Sequence, residues 1–130
     1  MAEFYMEKRV VDDNPTASSA HASVTIDPHE KMALMIATAT ASSKYTYGNV
    51  GDSGILLTIT GRTGGVTSVV RSDSFEARSS TVNYFAAATL MLVVQASAVA
   101  QIFADVGASG TAGSLNHDTR VELHVVAIDI

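Results

Sequence analysis

Leu90-Met91-Leu92-Val93-Val94-Gln95-Ala96-Ser97-Ala98-Val99-Ala100-Gln101-Ile102-Phe103-Ala104-Asp105-Val106 is the stretch whose reading decides the fold. Every even position from Leu90 to Val106 is apolar. The odd positions admit Gln95, Ser97, Gln101 and Asp105 among Met91, Val93, Val99 and Phe103. That is the period of a strand, with alternate side chains on opposite faces. A single strand of this length exceeds the usual span of about 5–6 residues. The reading is therefore two strands with a bend near Ala96–Ala98. An alanine-rich buried helix is the alternative, because Ala, Leu and Met favour it.

The same alternation appears on either side. Arg120-Val121-Glu122-Leu123-His124-Val125-Val126-Ala127-Ile128-Asp129-Ile130 is a strand running to the last residue. An apolar strand there is expected in the core or in a subunit interface. Ala22–Ile26 stops at Asp27-Pro28. Met32, Leu34, Ile36 and Thr38 alternate with Ala33, Met35, Ala37 and Ala39, a long strand with small residues on one face; helix is the rival there, because Ala and Met favour it, and the threonines and serine pair point to strand. Ile55–Thr60 and Val66–Arg71 flank Gly61-Arg62-Thr63-Gly64-Gly65, the best hairpin signal in the chain, since glycine supplies the positive φ of a tight turn. Gly48–Gly54 and Gly107–Gly113 read as glycine loops. Many strands with glycine turns give an all-β fold, a jelly-roll-like antiparallel β-sandwich.

The front of the chain reads differently. Residues 1–20 carry mixed charges, a turn at Asp12-Asp13-Asn14-Pro15 and a weak linker at Ala17-Ser18-Ser19-Ala20. They are expected to form an extended N-terminal arm, with residues 21–130 as a single sandwich domain. Phe4, Tyr5 and Met6 are costly to leave in water, so the arm is expected to dock on a neighbour. The candidate interface is Phe4, Tyr5 and Met6 of the arm with Val121, Leu123 and Val125 of the last strand.

Composition narrows the function. Apolar residues make up 47% of the 130 and charged residues 16%, against roughly 25% charged in ordinary soluble domains. Little of the surface can be covered by charge, so some apolar surface is expected to be hidden against other copies. A net charge of −5 with scattered Lys and Arg argues against nucleic acid. With no cysteine, disulfides and thiolate metal sites are excluded. Ser79–Ala104 carries no charge and is long enough to span a membrane, where basic flanks are expected, but it is broken by Gln95, Ser97 and Gln101 and closed by Asp105, so no membrane partner is expected.

No catalytic set stands out, and the chain is not expected to be an enzyme. Gly51-Asp52-Ser53-Gly54 matches the residues around the nucleophile of chymotrypsin-like proteases, and Ser19-Ala20-His21-Ala22 faintly echoes their histidine segment. That chemistry needs a histidine held by a buried carboxylate beside the serine, and those proteases build it from two barrels, for which this chain is too short. His21, Asp27, His29 and Glu30, and His117, Asp118 and His124, lack a convergent metal-ligand pattern. No cofactor or metal is expected. Gly107–Gly113 lacks the Lys-Ser/Thr of a phosphate loop, and Glu76 and Glu122 have no partner carboxylate. Tyr45, Tyr47, Phe75, Tyr84 and Phe85 are candidates for a sugar-stacking platform, with core or interface packing as the ordinary alternative.

In pattern, residues 22–130 resemble two groups of small jelly-roll proteins. One is the tailed-phage capsid decoration (cement) proteins, which share the short cysteine-free chain, the arm and the Ala/Thr/Ser/Gly-rich strands. The other is the C1q/TNF-like trimeric heads, which also close on an apolar strand, as Val121–Ile130 does here. The resemblance implies a homo-oligomer, a trimer or dimer, bound to a major capsid protein or another virion protein at the capsid surface. The alternative it leaves open is a carbohydrate- or receptor-binding head of a fibre or adhesin.

Overall fold

The computed structural model describes residues 3–14, 19–47, 51–64, 66–78, 82–110 and 114–130, and side chains within 6–14, 19–44, 55–64, 67–70, 84–107 and 118–130. Eight strands follow one another: β1 (Glu3–Asn14), β2 (Ser19–Ile26), β3 (Ala33–Tyr47), β4 (Gly51–Thr63), β5 (Val66–Arg78), β6 (Val82–Val94), β7 (Ala100–Gly110) and β8 (Ser114–Asp129). No helix occurs among the described residues. The strands form two four-stranded antiparallel sheets, β1-β8-β3-β6 and β2-β7-β4-β5. Partners are nested. β4 pairs with β5, β3 with β6, β2 with β7 and β1 with β8. The chain is thus one long hairpin rolled into two layers, the jelly roll expected from the sequence.

The roll turns back at the glycine hairpin. Thr63 pairs with Val66, and Gly64 takes φ +55°, a conformation that costs a residue with Cβ far more. At Leu90–Val106 the expected bend is a turn between the sheets. The Ala98 N–H donates to the Gln95 carbonyl at 3.1 Å, and the Ser97 N–H to the His29 carbonyl at 2.7 Å. Ser97 has φ 65°. Even positions face the core on both sides of it, with Leu90, Val94, Ala100, Ile102, Ala104 and Val106 all buried.

The core lies between the sheets and mixes alanines with larger aliphatic side chains such as Ile55, Leu57, Ile59, Ile102 and Leu123. In β3, Ala33, Met35, Ala37, Ala39 and Ala41 point in, while Leu34 and Ile36 point out and are half-buried. From β8, Val121, Leu123, Val125 and Ala127 are fully enclosed. Gly61 of β4 faces Leu90 and Leu92 of β6 so closely that a Cβ would come within 2.7 Å of the first and 2.5 Å of the second. A buried hydroxyl pair, Ser43 Oγ to Thr119 Oγ1 at 2.8 Å, satisfies both groups across the β3–β8 ladder.

Three expectations are corrected. Residues 3–14 are not an arm: they form the edge strand β1, registered on β8 from Glu3↔Asp129 to Asn14↔Thr119. The reason lies in the inward phase of β1. Met6 and Val10 pack against the core. The polar residues of that phase bond the open edge of β2 in the facing sheet. Lys8 Nζ donates to the Thr25 carbonyl at 3.1 Å, Asn14 Nδ2 to the Ser19 carbonyl at 2.9 Å, and Asp12 accepts from the His21 N–H at 2.8 Å. Residues 1–2 and 15–18 of the expected arm lie outside the described residues. The second correction concerns Val121, Leu123 and Val125, which belong to a central strand and are buried in this chain's own core, so they cannot meet a neighbour. The third is that Gly51–Gly54 and Gly107–Gly110 are strand, paired through Ser53↔Gly110 and Leu56↔Gly107, and not loop. Positions 48–50 and 111–113 lie outside the described residues.

Leu123→Ala is expected to cost about 2–5 kcal/mol in denaturant unfolding, because the side chain is wholly enclosed. Deleting residues 1–14 strips the ladder partner of β8 and the bonds to β2. The expected outcome is a large fall in the thermal midpoint or precipitation. An unchanged midpoint would show that β1 is dispensable to the fold.

Candidate interaction surface

Two outer faces remain once the core is filled. On the β1-β8-β3-β6 sheet, the outward residues fall in rows set by the register. One row runs Val126, Ile36, Met91, and the next Ile128, Leu34, Val93. Side chains directly opposite on neighbouring strands lie about 4.5–5.5 Å apart at Cβ, so these six form a continuous apolar block. Met91 is 61% exposed and Val93 43%, and Ile130 beside them is 57% exposed. The other end of the same face is polar, with Asp13, Arg120 and Ser42 in one row ending on Phe85, 71% exposed. Glu122 lies between, its Oε1 3.1 Å from Arg9 Nε and its Oε2 3.4 Å from Arg120 Nη2.

The β2-β7-β4-β5 sheet carries an open cleft of about 490 Å³ against the edge of β1, whose polar lining includes Asp12, Asn14, Ser19, His21, Thr58 and Asp105. His21 Nδ1 and Asp105 Oδ1 are in hydrogen-bond contact. The His21 ring stacks on Phe103 at 6.0 Å, and the Arg62 guanidinium sits 5.4 Å from the centre of the same ring. The cleft does not assemble a nucleophile. Register places Asp105 between His21 and Thr58, whereas a base must stand between the hydroxyl and the carboxylate. Asp12 already accepts from the His21 N–H and from Asn14 Nδ2 at 3.1 Å.

The residues singled out in the sequence are dispersed. Ser53 is five positions along β4 from Thr58, the residue level with His21 across Asp105, so the protease-like segments lie about 17 Å apart along the strand. Each described histidine sits against a different carboxylate: His21 with Asp105, His29 Nε2 with Asp129 Oδ1 at 2.8 Å, and His124 Nε2 with Glu7 Oε1 at 2.6 Å. Among the described residues no group of three His, Asp or Glu could hold a metal ion. His117, Tyr45, Tyr47, Phe75 and Glu76 have side chains outside the described set, as do Phe4 and Tyr5. Of the aromatic candidates, Tyr84 is buried at 2% exposure while its neighbour Phe85 is open to solvent. Met6 is half-buried against its own core. The apolar block on the outer face was not singled out in advance. Its signal was present in the odd positions Met91 and Val93, and in the even positions Leu34 and Ile36 of the strand whose small face is inward.

No family model matches the chain, and no curated protein matches it. Solved structures do. Dimeric latent PorU from Porphyromonas gingivalis aligns over 98% of this chain and 13% of its own, at TM-score 0.50 and 6% identity. TmCBM61, solved in complex with β-1,4-galactotriose, aligns over 96% of this chain and 86% of its own, at TM-score 0.50 and 10% identity. Weaker likenesses reach a protein of the T13 infectious bursal disease virus particle (TM-score 0.44, 10% identity, 95% of this chain and 35% of that one) and the globular domain of zebrafish complement 1qA (0.40, 12%, 79% and 67%). These neighbours include jelly-roll proteins, and at such identities the likeness shows the fold alone.

His29→Ala should leave the nearly buried Asp129 carboxylate without its imidazole. A loss of about 1–3 kcal/mol is expected in denaturant titration. An unchanged midpoint would show that the pair contributes nothing to holding the β2–β3 connection on β8.

Proposed function

We propose that this chain is a non-enzymatic structural protein of a virion, a capsid decoration (cement) protein. It acts as a homo-oligomer, a trimer or dimer, seated on the major capsid protein or another virion protein at the capsid surface. The observation that carries this reading is the apolar block of Leu34, Ile36, Met91, Val93, Val126 and Ile128 on the outer face of the β1-β8-β3-β6 sheet. On β3 the inward positions are mostly alanines while the larger Leu34 and Ile36 point outward. That inversion suits a module whose apolar surface is completed by another copy. The low charged fraction of the chain fits the same demand.

The mechanism is adhesive. Burial of the block between copies supplies the association energy, and each further contact on a lattice resists its separation. The alternative reading, a carbohydrate- or receptor-binding head of a fibre or adhesin, draws support from the fold shared with TmCBM61, the protein solved with β-1,4-galactotriose. It does not compete for the apolar block.

Native mass spectrometry with sedimentation velocity tests the assembly reading. The wild-type chain is expected to form a discrete dimer or trimer. Met91→Glu removes roughly 1.5–3 kcal/mol of burial per subunit and adds a charge, so dissociation should strengthen by about 100-fold or more, with circular dichroism unchanged. A monomeric wild type, or a Met91→Glu oligomer of undiminished mass, defeats the proposal.

A further inference from the structure

We propose that Phe85 and the polar side chains around it form a binding site for a neutral glycan chain, at the opposite end of the sheet face from the apolar block. Phe85 lies on the edge strand β6 and is 71% exposed. It ends a row that crosses all four strands, Asp13, Arg120, Ser42 and Phe85. Lys44 and Asp118 are paired in the next row toward the end of the sheet. The floor on the other side is low, set by Thr40 and Ala87. Two shallow hollows, of about 250 Å³ and about 230 Å³, share Ser42, Phe85 and Arg120 in their walls.

The chemistry selects the ligand class. A sugar ring has an apolar C–H face and a rim of hydroxyls that both donate and accept. An exposed aromatic face takes the first. Lys44 and Arg120 donate, Asp13 and Asp118 accept, and Ser42 does either. Arg120 and Phe85 stand two strands apart, roughly 10 Å, with Ser42 between them. Glu122 holds Arg120 in place and is itself held by Arg9, so part of the ordering cost is met before binding. The openness of the hollows suits an extended chain lying across the sheet. A polyanion fits poorly, because Asp13 and Asp118 face the same ground and the chain carries −5 overall.

This site does not rest on the assembly reading, and its test reads a different quantity. Saturation-transfer difference NMR on the full chain in its native assembly state uses cellotriose, maltotriose and chitotriose as probes. At least one is expected to show transfer, with Kd roughly 1 mM. Phe85→Ala should weaken that binding by about tenfold, and Arg120→Ala by several-fold, both with unchanged native mass. Transfer from none of the three overturns the proposal. So does a Phe85→Ala variant that loses oligomer mass while keeping the sugar signal, since Phe85 is then an assembly contact. A wild type that is monomeric yet binds through Phe85 and Arg120 sinks the assembly reading and supports this one.

Discussion

The two-residue connection between Thr63 and Val66 sets the register on which the rest of the molecule depends. Gly64 at φ +55° lets β5 return directly along β4. With that pairing fixed, each earlier strand meets a later one in turn, ending with Glu3 to Asn14 on the last strand. Because the side-chain period is two, a slip of β4 by one residue at the tip would turn its inward Ile55, Leu57 and Ile59 outward. The bonds from Lys8, Asp12 and Asn14 to β2 lock the far end of the roll, where β1 and β2 are edge strands of opposite sheets.

On β3 side-chain size is distributed against the usual rule. Alanines dominate the inner face of β3 and half the inner positions of β7, and Gly61 gives room to Leu90 and Leu92. Small groups there let the layers lie close, but each alanine contributes little transfer energy. The larger aliphatic side chains of β3, Leu34 and Ile36, therefore sit outside, beside Met91 and Val93 of β6 and Val126 and Ile128 of β8. In an isolated chain that placement forgoes stabilisation, whereas in an assembly the same side chains are buried once copies meet. Fold stability and association are coupled through this choice.

Much of the architecture was legible in the sequence, because period-two alternation is a direct record of which face is inside. Leu90–Val106 shows this well: its even phase persists through the Gln95–Ala98 turn because both flanking strands face the same interlayer core. What the pattern could not show was partnership. Residues 1–20 looked like an arm because of their mixed charges and the Asp12–Pro15 turn, yet Lys8, Asp12 and Asn14 bond the edge of a strand that a linear reading does not place nearby. Gly51–Gly54 and Gly107–Gly110 looked like loops because glycine favours turns. Within a nested ladder their backbones are held by strands distant in sequence. The surface was harder still. An exposed Met91 and an enclosed Leu90 are both simply apolar in sequence, and Phe85 is told from Tyr84 only by phase.

The outer face of the β1-β8-β3-β6 sheet is divided along the strands, apolar at the end bearing Met91 and Val93, polar and aromatic at the end bearing Phe85 and Arg120. Each end has what the other function lacks. Packing of Ile36, Met91 and Val126 against a copy requires water to be expelled and tolerates no unpaired charge. A ring stacked on Phe85 requires donors and acceptors that stay hydrated until a ligand replaces the water. Thr38, Thr89 and His124 form the row between Val126-Ile36-Met91 and the Glu122 row, and Glu7, the β1 member of the Val126 row, is paired with His124. A copy seated on the apolar end would leave β6 running out from the contact with Phe85 at its open end. Association would then repeat the polar end once per subunit and raise avidity for a repeating ligand without any new contact.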